Sequence, residues 1–217
     1  FSAVGVHLTE SIDVRETSIV SGLRLAPPEP GPGRSRSPIP ATILDGSVHF
    51  ENVRIDGDLQ LGQTELHAAM TFERVTIDGH VQAERLRATA EIAWRHCHID
   101  EDLNLAHAVL KGLAVIETTI EGSFILQSAI VDGLLDASRS TVEKPAVWMK
   151  ARLLGGVRAE RFWCRSALVL REAELYGDVQ LNVMRVADDL VLSDTAVHGP
   201  FSLHRTKVGN QLRVHGT

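Results

Sequence analysis

Cut into 11-residue units starting at Leu8, Ile19, Leu44, Ile55, Leu66, Ile77, Ala88, Ile99, Leu110, Ile120, Val131, Val142, Leu153, Cys164, Leu175, Val186, Val197 and Val208, the chain has an apolar residue at positions zero, four and six of every unit. Only 44% of the whole chain is apolar, so a pattern without exception over eighteen units is the signature of a solenoid. The spacing selects strands over helices. Positions four and six, and nine and eleven, are two apart, which puts both side chains of a pair on one face of an extended segment. A helix would need sites at three, four, seven and eight. Position two carries Gly46, Gly57, Gly79, Gly112, Gly122, Gly133, Gly155, Gly177 and Gly199, which reads as a turn between very short strands.

One unit, with an extended perimeter of only about 36 Å, is too short to enclose side chains from opposing walls. Two units per coil are expected, and alternate units do differ in kind. In one series position two is always Gly or Ala (Gly46, Ala68, Ala90, Gly112), whereas in the other it becomes Glu101, Lys144, Ser166, Asp188 and Asn210. The expected fold is an all-β, parallel β-helix of about nine coils of 22 residues, with residues 22 apart stacked at ~4.8 Å. Phe50, Phe72 and Trp94 then form an internal aromatic ladder.

The segments Asp58-Leu59-Gln60-Leu61, Asp102-Leu103-Asn104-Leu105 and Asp189-Leu190-Val191-Leu192 resemble those of the pentapeptide-repeat proteins, quadrilateral β-helices whose faces each put two side chains inward. The resemblance covers the chain outside its proline-rich stretch and implies a right-handed winding. It departs from the family in that faces alternate six and five residues instead of repeating five. The chain is also similar to Gly-Asp-Leu-x-Leu arrays in actinobacterial proteins labelled membrane-associated oxidoreductases. No dinucleotide fingerprint lies between a strand and a helix, and no apolar run is long enough to span a membrane. The expectation is therefore no cofactor and no membrane span.

Two interruptions break the period. Between Leu25 and Leu44 about 14 residues are inserted, and residues 26–40 hold six of the eight prolines. This reads as an extruded loop on a single domain covering 1–217, a solvated spacer with Arg34 and Arg36 as a possible partner element. One residue is missing between Leu110 and Ile120, which suggests a tightened corner near Thr118 and Thr119. Solenoids need capped ends, and neither Phe1 nor Thr217 belongs to a recognisable cap, so the chain is read as a piece of a longer one.

A net charge of −6 argues against direct, nonspecific nucleic-acid binding. Cys97 and Cys164 both fall on inward positions about three coils apart, too far for a disulfide. Two buried free thiols suit a reducing compartment and favour the cytoplasm. His96-Cys97-His98 has the look of a metal motif, but Cys97 faces inward and its neighbours outward, so no metal site is expected there.

Two outward columns are candidate working surfaces. Asp56, Asp78, Asp100, Glu121 and Glu143 occupy position one of alternate units, with Asp58 and Asp102 beside them at position three. Like charges stacked at about 5 Å repel, so some compensation is expected. The bland reading of this stripe is corner chemistry, each Asp accepting backbone N–H groups. The sharper one is a surface for cations or a basic partner, including the phosphate-mimicking role some pentapeptide-repeat proteins play toward DNA gyrase. Position five begins polar at Gln60, Gln82 and Asn104, then becomes Ile125, Val147, Val169 and Val191, a flat apolar strip about 15 Å long. Such a strip reads as the seat of a second copy in a homodimer, of a further segment of the same longer protein or of a protein partner, and its bland reading is a harmless β-rich surface. An enzyme acting on acidic polysaccharide would use carboxylates such as Asp78 and Asp100 on a cleft wall. The chain offers a single long loop and only Trp163 and Tyr176 as outward aromatics, on different faces. The leading expectation is a non-catalytic scaffold for protein binding or self-assembly.

Overall fold

A computed structural model describes residues 7–26 and 41–216. Apart from Ala26, the inserted loop lies outside the described residues. Every described element is a strand, and every pairing between strands is parallel. Each coil turns through four faces. In the coil that begins at Leu44 these are Thr42–Leu44, Val48–Glu51, Arg54–Asp56 and Leu59–Gln60. The third and fourth faces are separate nine-stranded sheets, and the first and second join into one sheet of 16 strands. Nine levels thus stack with eight turns between them, at the expected step of 22 residues: Leu44 pairs with Leu66, Ile55 with Ile77 and Leu59 with Val81.

Inward residues fill one continuous core. Phe50 stacks on Phe72 at 5.1 Å and 3°, and Phe72 on Trp94 at 5.3 Å and 5°. Above Trp94 this column shrinks to Val115, Ala137 and Ala159, while Trp148 enters from the fourth face, edge-on to Phe124 at 5.6 Å and 6.0 Å from Phe162. Bulk lost on one wall is supplied by another, which keeps the cross-section filled at interior density. Both buried indole N–H groups, of Trp94 and Trp148, lack an acceptor among the described residues. The core is open where the described coils stop. At the N-terminal end Leu8, Ile12, Val14, Ile19 and Phe50 line a cavity of about 590 Å³, and at the other end Leu212 and Val214 are exposed.

The missing residue is not near Thr118 and Thr119. Ala88 pairs with Leu110 but Glu91 with Gly112, so Thr89 and Ala90 together oppose Lys111 alone. The shortening sits at the corner between the first and second faces, where the strands Arg87–Arg95 and Val109–Ile116 run straight through. In consequence Leu113 and Val115 point inward, rather than the period's Ala114 and Ile116. Thr118 is likewise an inward residue of the next corner. Its Oγ1 donates to the Trp94 carbonyl at 3.3 Å, and its N–H donates to Ser140 Oγ at 3.0 Å. Ser140 Oγ in turn donates to the Val115 carbonyl at 2.7 Å, so the two buried hydroxyls serve corner backbone groups.

The corners are built differently from the sequence expectation. Position eight, one residue before the inward position nine, takes a left-handed backbone with φ between 48° and 59° at Glu16, Asn52, Arg74, His96, Glu117, Lys150, Val183 and their equivalents. All of these except Arg205 in the last coil make one upward bond, as when the Arg74 N–H donates to the Arg95 carbonyl at 3.0 Å. Position-two glycines serve mainly close approach. A Cβ on Gly155, whose φ is not left-handed, would lie 2.3 Å from the Gly133 carbonyl carbon. Among the glycines stacked with it, Gly177 alone combines crowding with a positive φ of 68°.

These two corners respond oppositely to substitution. Val183 is exposed and β-branched at φ 57°, a conformation that disfavours such residues by about 1–2 kcal/mol. Val183→Asn is expected to raise stability by roughly 1 kcal/mol, and Gly155→Ala to lower it by about 1–3 kcal/mol through overpacking against backbone. Urea denaturation of both variants beside the wild type checks the two signs.

Candidate binding faces

On the third face the inward residues Ile55, Ile77, Ile99, Ile120, Val142, Cys164, Val186 and Val208 alternate with two outward columns. The parallel register stacks the stripe Asp56, Asp78, Asp100, Glu121 and Glu143 in one column, as the spacing requires. Compensation comes largely from the column beside it, one residue before each inward site. Arg54 donates to Asp56 at 3.0 Å and to Asp78. His98 Nε2 lies 3.0 Å from Asp100 and 3.3 Å from Glu121, and Arg165 closes the top of the stripe on Glu143 at 3.2 Å. Hydrogen bonds to Asp56 and Asp78, with the charges of both, hold the Arg54 guanidinium above its ordinary pKa. Arg54 was not singled out from the sequence, and His98 was considered there only as a metal ligand beside His96 and Cys97; both stand one residue before an inward isoleucine, next to the stripe.

Asp58 and Asp102 do not belong to the stripe. Asp58 Oδ1 accepts the His80 N–H at 2.9 Å, and Asp102 Oδ1 accepts the Ser123 N–H at 2.7 Å. Each carboxylate satisfies a corner one coil higher, which is the corner chemistry expected of Asp, carried out between coils rather than within one.

Above Glu143 the third face changes sign. Its columns continue as Trp163 with Arg165, Arg185 with Ala187, and Lys207 with Gly209. The Arg165 guanidinium sits 4.2 Å over the Trp163 ring. Arg185 and Lys207 are exposed, and their side chains have no partner among the described residues.

The fourth face carries the apolar strip. Ile125 pairs with Val147, Val147 with Val169 and Val169 with Val191, in one outward column. Its neighbours one strand position away, Pro145 and Ala167, widen it into a patch, a contribution the strip's own column did not reveal. The strip is less open than expected: Ile125, Val147 and Val169 are half-buried, and Val191 is only 8% exposed.

The remaining candidates stay apart. Cys97 points into the core, while His96 Nδ1 meets Glu117 at 2.9 Å and His98 meets the stripe. Among the described residues no group of three or more His, Cys, Asp or Glu is placed to share a metal ion, and no helix is long and apolar enough to cross a membrane. Cys97 and Cys164 are both buried free thiols. Asp78 and Asp100, the carboxylates considered for polysaccharide chemistry, stand on the flat third face. Compared with protein-family models, curated proteins and solved structures, the chain gives no match to any of them.

Burial pushes the Cys97 thiol from its ordinary 9.0 up to about 11. A pKa raised in the folded state means stability fully present below the unfolded pKa and lost as pH climbs through the folded one. The urea midpoint is therefore expected to fall between pH 9 and about 11, and Cys97→Ala should shallow that fall relative to the wild type. Equal slopes for the two proteins would refute the assignment.

Proposed function

We propose that this chain is a non-catalytic assembly scaffold of pentapeptide-repeat-like type, binding a protein partner or a second copy through the patch around Ile125, Val147, Val169 and Val191. The observation that carries the reading is the outward stacking of these four residues in one column, beside Pro145 and Ala167, on a flat face. A patch of roughly 150 Å² contributes about 4 kcal/mol when covered. That is enough to anchor an interface, but not to form a standard one of about 800 Å² per partner, so the surrounding face takes part as well. The internally paired stripe lends little support to phosphate mimicry, and paired carboxylates on a flat wall lend little to polysaccharide chemistry. The buried thiols fit a reducing compartment, and the cytoplasm is proposed on that ground.

Absolute mass by light scattering, in about 1 M salt where charges are screened within about 3 Å, tests the patch. The wild type is expected to be a dimer and Val147→Glu/Val169→Glu a folded monomer. A variant that dimerises as well as the wild type refutes the patch as a docking face, and a monomeric wild type removes the second copy as its occupant.

A further inference from the structure

The third face is divided by sign along the solenoid axis. Its lower levels carry the five carboxylates of the stripe with Arg54 and His98, and its upper three carry Arg165, Arg185 and Lys207 with no carboxylate in either outward column. A face whose two halves have opposite sign is complementary to itself when one copy is turned end over end. We propose that two copies of this chain pair through their third faces with solenoid axes antiparallel. This inference rests on the reading of the chain as an assembly scaffold and adds a second, salt-dependent face by which copies meet.

The pairing follows from the level order. A twofold axis lying in the face, parallel to its strands, reverses the solenoid axis and sets each outward column against itself. Centred between Thr119 and Thr141, it brings the level of Arg54 and Asp56 against that of Lys207 and Gly209. Thr76 and Asp78 then meet Arg185 and Ala187, and His98 and Asp100 meet Trp163 and Arg165. Asp100 stands opposite Arg165, and Trp163 opposite the His98 ring. Asp56 and Asp78 face Gly209 and Ala187, small residues that leave room for Lys207 and Arg185 to lean across the ~7 Å between columns. The twofold axis doubles each opposite-charge match. Two like-charge approaches remain, Arg54 with Lys207 and Glu121 with Glu143. Arg54 and Glu143 each already have an opposite charge within their own chain, and Glu121 has the His98 ring at 3.3 Å. The alternative twofold, with axes parallel, sets acidic levels on acidic levels and is disfavoured. The face covers roughly 400 Å² per copy, at the small, transient end of protein interfaces, and exposed ion pairs are individually weak. The dimer should therefore be salt-sensitive, with a dissociation constant on the order of 10 μM at about 0.01 M salt, weakened at least about 100-fold at 1 M.

Sedimentation equilibrium in low and high salt tests this, with circular dichroism to confirm folding. Arg185→Glu/Lys207→Glu removes no hydrogen bond or ion pair among the described residues and is expected to weaken low-salt association at least about tenfold. Arg54→Glu/Asp56→Arg/Asp78→Arg inverts the lower triad while preserving its internal pairing, and is expected to do the same. A 1:1 mixture of the two variants should recover wild-type association, because each mutated half then meets its opposite. Absence of salt-dependent association in the wild type, unchanged association of either variant, or a mixture that fails to recover would each overturn the proposal. Carrying Val147→Glu/Val169→Glu through the same low-salt series separates the faces. Retained association leaves the third face as the site even if the fourth-face patch fails its own test, and loss of association would assign the contact to the patch and overturn this inference.

Discussion

Everything in this molecule hangs on the parallel hydrogen-bond ladder that sets each residue about 4.8 Å from the one 22 positions away. Under that constraint a side chain's nearest neighbours are its equivalents in the coils above and below, so residues of one kind at one position are stacked on one another. For apolar inward residues the stacking is favourable and produces the Phe50, Phe72 and Trp94 ladder. For outward carboxylates it is unfavourable, and the chain answers with a cation in the adjacent column or a change of residue type higher up. The Arg54 ion pairs, with the His98 contacts, and the sign reversal that begins with Arg165 above Glu143 are thus two answers to the same repulsion.

The same ladder dictates the corners. Where the Gly155 corner lies on that of Gly133, the coils are stacked too closely to leave room for a Cβ. Where the chain must swing outward before re-entering the core, a left-handed residue is needed, and solvent accepts whatever side chain it carries. Arg74, His96, Lys150 and Val183 hold this conformation although three of them are long, charged or aromatic and one is β-branched. The regular upward backbone bond at each such residue holds a geometry its side chain does not favour.

The architecture was legible because burial is strict: positions zero, four and six are enclosed in almost every coil and tolerate only apolar groups. Legibility failed where burial stopped discriminating. Leu113, Ala114, Val115 and Ile116 are all apolar, so the spacing fitted two registers and the missing residue was misplaced by a whole face. The left-handed corner left no compositional trace, since exposed position eight accepts almost any residue type. Asp58 and Asp102 were grouped with the stripe because sequence shows that they neighbour it, whereas the acceptor role depends on which backbone N–H lies one coil higher. Half-burial of the strip was equally invisible, because alternation shows which side of a strand a residue is on and not how far it is covered.

Contacts that reach only to adjacent coils also make the molecule a one-dimensional array, in which melting can travel inward from either end. Its tryptophans are distributed to report such a front. Trp94 is enclosed beside Phe72, Trp148 lies two levels higher between Phe124 and Phe162, and Trp163 is on the outside beneath Arg165. An unravelling that begins at the N-terminal coils exposes the first indole to water before the second, and one that begins at the other end reverses the order. The intrinsic fluorescence of this chain therefore carries a direction as well as an extent of unfolding.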